Sequence, residues 1–149
     1  MVKVEGSVVI NRPVEEVFAF LTNPENASVW QGTVLESKQT SDGPVGVGTT
    51  GHGVSQFLGR RIESDWEVTE YEPYTKASLK STSGPVPYEQ SATLESIGEG
   101  TKVTLVARYE VGGFFKLAEP IVARLSQRQS EADFANLKDL VEAMGEGVA

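Results

Sequence analysis

The chain has 149 residues, 39% of them apolar and 23% charged, which is the size and make-up of one globular domain spanning residues 1–149. A net charge of -8 and the absence of any basic run exclude nucleic acid and anionic lipid surfaces as partners, since both are met by clustered Lys and Arg. No cysteine means no disulfide, thiolate nucleophile or thiolate metal site, and a single histidine, His52, leaves few metal options, so no metal or other cofactor is expected.

The opening residues Met1 to Ser7 lack the uninterrupted apolar stretch of a signal peptide, and no run approaches a membrane span. A cytoplasmic protein without membrane insertion is the expectation. Val2, Val4, Val8 and Ile10 alternate as in a half-buried strand. A short helix follows. Pro13 suits a first helical position, Glu15 and Glu16 fall in the first turn, and Val14, Val17, Phe18 and Leu21 make one apolar face. Asn23-Pro24 breaks it, and a second short piece leads to Trp30.

Six strand-like segments come next: 33–40, 47–57, 60–71, 75–82, 85–97 and 101–111. The links between them are short and rich in Gly and Pro, which reads as an antiparallel meander. In the fourth strand Ile62, Ser64, Trp66 and Val68 oppose Glu63, Asp65, Glu67 and Thr69, so one face is covered and the other wet. By the same parity Tyr88, Gln90, Leu105, Ala107 and Tyr109 point inward. The acidic row Glu63, Asp65, Glu67, Glu70 and Glu72 reads as a solvated sheet face and not a cation site, because alternation lines its members up instead of gathering them around a point.

From Phe114 to Ala143 the periodicity is helical, giving a helix of about 45 Å with a bend or restart at Pro120. Phe114, Leu117, Ala118, Ile121, Val122 and Leu125 form one stripe; Phe134, Leu137, Leu140, Val141 and Met144 form a second, rotated about the axis. The first half is expected to line a cavity and the second to be plain core. A sheet with one covered face and one helix to cover it must curl around that helix. The mouth is expected where Leu58-Gly59, Gly84-Pro85 and Gly112-Gly113 meet the start of the helix.

This order of elements, with the stretches Ile10-Asn-Arg-Pro-Val-Glu-Glu-Val-Phe18, Gly46-Val-Gly-Thr49, Trp66-Glu-Val-Thr-Glu-Tyr-Glu-Pro73 and Asn136-Leu-Lys-Asp-Leu-Val-Glu142, resembles the START-like (SRPBCC) superfamily. That superfamily includes birch pollen allergen-type proteins, and the closer resemblance is to its polyketide cyclase/dehydrase subgroup. The resemblance implies an α+β helix-grip fold: a curved antiparallel sheet of six or seven strands around a long C-terminal helix, with two short helices after the first strand. It also implies a deep apolar cavity used for lipids, hormones or polyketides, with catalysis in only some members.

Within that frame Trp66, Tyr88, Tyr109, Phe114, Leu117 and Ile121 are the expected apolar wall of a site for a small hydrophobic, ring-containing ligand. Gln90, and Arg128 and Gln129 on the helix, are polar where apolar side chains are expected, and Gln90 and Arg128 would orient it. The alternative is a polyketide cyclase or aromatase using the same cavity. In it Arg128 or a tyrosine would steady an enolate, and His52, set between glycines with no partner identifiable in sequence, would move protons.

Overall fold

The N-terminal alternation forms a nine-residue strand, β1 (Val2–Ile10), in a computed structural model that describes residues 2–57, 59–110 and 119–146. After it come α1 (Val14–Thr22), a 3-10 turn over Pro24–Asn26 and α2 (Ala27–Trp30). Pro13 stands just before α1, as its N-cap, instead of at its first helical position; its extended ψ of 148° starts the helix one residue later. Phe20 is buried beside Val17 and Phe18, so the apolar face of α1 is wider than the sequence pattern indicates. Asn23 ends α1 and opens the next turn, its Oδ1 accepting from the N–H of Glu25 at 3.2 Å.

Six further strands follow: β2 (Val34–Gln39), β3 (Thr50–Phe57), β4 (Arg60–Glu72), β5 (Lys76–Ser83), β6 (Tyr88–Ile97) and β7 (Gly100–Tyr109). They form one antiparallel seven-stranded sheet in the order β1-β7-β6-β5-β4-β3-β2, so the chain's first strand closes against its last. The segment 47–49 is not strand. Thr49 closes a turn there, its N–H donating to the Gly46 carbonyl and its Oγ1 accepting from the Gly46 N–H.

Between β4 and β5 the register shifts twice, at Asp65/Trp66 and at Val68/Glu70. Bulges of this kind bend a strand and tighten its twist, which lets the sheet curl. The second also moves the inward parity from Val68 to Tyr71, since Val68 pairs Leu79 and Tyr71 pairs Ala77. That one extra residue keeps Glu70 and Glu72 on the same wet face as Glu63, Asp65 and Glu67.

The last element is α3 (Glu119–Glu146), which packs against β1 and touches α1 and α2. Pro120 is the second described residue of this helix, so the bend or restart expected there falls at the edge of the described residues. The expected helical stretch from Phe114 to Ala118 lies outside the described residues. Phe134 of α3 can rest on β1 only because residue 6 is glycine: a Cβ there would stand 2.6 Å from Phe134 Cε2. Polar pins hold the helix along its length. Asn136 Nδ2 donates to the Trp30 carbonyl at 3.2 Å, and Glu142 Oε2 accepts from the Asn11 N–H at 2.8 Å and Lys138 Nζ at 2.6 Å.

Two apolar clusters result. The larger joins Ile10, Val17, Phe18, Trp30, Leu94, Val103, Leu137 and Val141 under α1 and the C-terminal half of α3. The smaller joins Val2, Val4 and Val122, with Phe57, Tyr109 and Ala123 against them. Met144, expected in the core stripe, is 57% exposed, because the helix has run past the sheet by then.

Candidate functional site

Between these clusters the curled sheet and α3 enclose a cavity of about 340 Å3. Its walls come from residues of all seven strands, from α3, and from the α1–α2 region. They reach Val86, Tyr109 and Val122 at one end and Asn23, Pro24 and Val45 at the other. The expected mouth at the glycine-rich end includes Gly112-Gly113, which lies outside the described residues.

Trp66 is in the wall and only 6% exposed, lying against β3. Its cross-strand partner is Gly51, and a Cβ on that residue would overlap Cζ2, Cε2 and Cη2 of the indole. The glycine is thus a slot for the ring, and the His52 neighbourhood is glycine-rich for that reason and not for hinge motion. Tyr88 and Tyr109 face each other across β6 and β7, and both line the cavity. Tyr88 shares a hydrogen bond with Ser64 Oγ at 3.4 Å. Burial raises the pKa of both phenols, so they stay neutral and can both donate and accept. Gln90 stands between Leu79 and Ala107 in the same wall.

Of the helix residues expected on the cavity face, Val122 and Gln129 line it and others do not. Ile121 is 59% exposed, Arg128 is exposed, and neither lines the cavity. The lining positions are Val122, Ser126, Gln129, Ser130, Asp133 and Phe134. At about 100° per residue Ile121 and Arg128 fall on nearly the opposite side of the helix from that stripe. Tracing apolar residues alone gave a stripe that turned at Arg128. Counting back in fours from Phe134 and Leu137 would have found the true face, since Ser130, Ser126, Val122, Asp133 and Gln129 all lie on it. Phe114 and Leu117 lie outside the described residues.

Asp133 is the charged member of this stripe. Its Oδ1 accepts from the Gly32 N–H at 2.9 Å and from Gln129 Nε2 at 2.8 Å. Burial raises its pKa above the usual carboxylate value, and those two hydrogen bonds oppose the rise.

His52 belongs to the other face of the sheet. Its Nδ1 lies 2.8 Å from Asp65 Oδ1, its Nε2 lies 3.3 Å from Glu63 Oε1, and Ser83 Oγ donates to Asp65 Oδ2 at 2.9 Å. It therefore has orienting partners, which sequence did not indicate, and they are cross-strand neighbours on β4. Its pKa is raised, first by the Asp65 bond, against an opposing desolvation; that of Asp65 is lowered, first by His52 and then by Ser83. Because the folded imidazole holds its proton more tightly than the unfolded one, its contribution to stability is complete below the unfolded histidine value, about 6.5. It is lost as pH rises through the folded value. A His52→Gln variant should therefore be measurably less stable than the parent near pH 5.5 and match it near pH 9, in urea titrations at both. An equal deficit at both would show that charge plays no part.

Among the described residues no helix is long and apolar enough to cross a membrane, and no group of three or more His, Cys, Asp or Glu is placed to hold a metal.

A seven-stranded sheet gripping one long helix, with a hollow between them, is the helix-grip arrangement of START-like proteins. Residues 1–142 match the family described as polyketide cyclase/dehydrase and lipid transport, and the chain belongs to that family. Solved structures agree on the fold. TTHA0849 of Thermus thermophilus superposes with a TM-score of 0.81 at 23% identity, over 95% of this chain and 98% of that one. The Zhui aromatase/cyclase of a Streptomyces species gives 0.77 at 13% identity, over 94% and 93%. A START superfamily protein of Mycobacterium smegmatis gives 0.78 at 15%, over 95% and 98%. No curated protein matches this chain by sequence.

Proposed function

We propose that the chain binds and carries a small hydrophobic, ring-containing molecule of lipid or polyketide type in this cavity. Trp66, Tyr88 and Tyr109 stack against it and Gln90 orients it. The observation that carries this reading is the hollow itself. A volume of about 340 Å3 lies in the range of roughly 300–1,000 Å3 typical of small-molecule sites, and its apolar walls would otherwise have been filled by side chains. A cyclase would use the same cavity, but two groups named for that chemistry face elsewhere: Arg128 is exposed and His52 is paired with Asp65 and Glu63 on the outer face. The carrier reading is therefore preferred.

Titration with Nile red, a neutral polycyclic dye, is expected to give saturable binding of one dye per chain with a blue-shifted emission. Native mass spectrometry of the purified protein is expected to show a retained small molecule. Dye emission that rises linearly without saturation, from a folded protein whose mass is that of the bare chain, would overturn the carrier reading.

A further inference from the structure

We propose that the cavity selects ligands that carry a hydrogen-bond donor and no negative charge, with Asp133 as the residue that reads the donor; the inference rests on the carrier reading above. The charge inventory comes first. Among the described residues lining the cavity, Asp133 is the one charged side chain, and no Lys, Arg or His joins it. Basic side chains such as Lys38, Lys80, Lys102, Arg124 and Arg128 are exposed elsewhere on the molecule. An anionic ligand would shed its hydration shell and meet a like charge, with no cation among the described wall residues to offset it.

The bonding of Asp133 supplies the second observation. Both protein donors, the Gly32 N–H and Gln129 Nε2, go to the same oxygen, Oδ1. Oδ2 has no protein partner among the described residues, although Asp133 stands in the cavity wall. The carboxyl is held by its neighbours in one orientation, so a ligand hydroxyl or ammonium that donates to Oδ2 orders little more on binding. Burial makes the carboxylate costly while it lacks such a donor, in keeping with its raised pKa. The other polar groups around the cavity, among them the hydroxyls of Tyr88, Tyr109, Ser126 and Ser130 and the amide of Gln90, are neutral and accept or donate as needed. They suit carbonyls and hydroxyls along a ring system and do nothing to draw in an anion. The ligand class is a hydroxylated or aminated ring compound; fatty acids, sulfonates and phosphates are excluded.

The test is displacement of bound Nile red at mildly alkaline pH by three ligands that share one ring: 2-naphthalenemethanol, 2-naphthylmethylamine and 2-naphthoate. In the parent the alcohol and the ammonium should displace the dye at similar concentrations, and the carboxylate should need at least about tenfold more. Asp133→Asn keeps an acceptor for Gly32 and Gln129 and places an NH2 where Oδ2 was. It should bring naphthoate to within about threefold of the alcohol and weaken the ammonium by about tenfold. Equal displacement by all three in the parent would overturn selection without recourse to any variant. A uniform loss across the three in Asp133→Asn would reduce Asp133 to a packing role. Failure of Nile red itself to bind would instead remove the carrier reading, a result distinct from either.

Discussion

Trp66→Ala should lower folding stability by about 3 kcal/mol or more and weaken Nile red by about 1 kcal/mol or more, because the indole is both core and cavity wall. It is 6% exposed, pairs with Gly51 across β3 and lines the hollow, so its removal enlarges a space that already exists. Trp66→Phe keeps a ring and should preserve most of both quantities. The glycine slot gives an independent check. Gly51→Ala places a methyl where the indole now lies and should cost about 1–3 kcal/mol in the parent by overpacking. Most of that cost should vanish when Trp66 is already Ala. Additive losses in this double-mutant cycle would mean that the two residues do not share the space. Unchanged dye affinity in Trp66→Ala, with stability reduced, would leave the tryptophan as core only.

Leu137→Ala should cost a comparable amount, about 2–5 kcal/mol, while leaving dye affinity per folded molecule intact. Leu137 is fully buried within the larger cluster, packed with Ile10, Val17, Phe18 and Val103, and it is not part of the cavity wall. The urea midpoint should fall with an unchanged slope. A parallel loss of dye affinity would show that the larger cluster sets the shape of the cavity, and the division between core and site would have to be redrawn.

The strands were legible because one face of the sheet is wet. The charges at Glu63, Asp65 and Glu67 report the orientation of Trp66 between them, and even the switch to Glu70 and Glu72 records the bulge in β4. The inward placement of Tyr88, Gln90 and Tyr109 followed from the same rule. The helix was read less well. A helix that borders a hollow need not be apolar on its inner face, and Ser126, Gln129, Ser130 and Asp133 are polar there. The apolar stripe therefore joined Val122, which lines the cavity, to the exposed Ile121, and Arg128 was grouped with Gln129 although only Gln129 faces inward. The partners of His52 were hidden for another reason. Glu63 and Asp65 lie on the neighbouring strand, and only the β3–β4 register, in which His52 sits opposite Asp65, brings them to the ring.

A fold whose apolar interior is divided by a hollow has two regions that can loosen separately. Val2, Val4 and Val122 form a small cluster at one end, and the larger one at the other end has most of the buried bulk. Local opening takes free energies from near zero up to the global value, and a cluster of three buried valines belongs near the low end. A guest that touches Val4 and Val122 on one side and Trp30 and Leu94 on the other bridges the two, since all four residues line the cavity. Occupancy then acts as a missing piece of interior, raising apparent stability by mass action in proportion to the logarithm of ligand concentration. Amide exchange around Val2 and Val4 of β1 and around Val122 of α3 should slow on loading more than exchange around Leu137, so the protein's own breathing becomes a gauge of whether it is carrying anything.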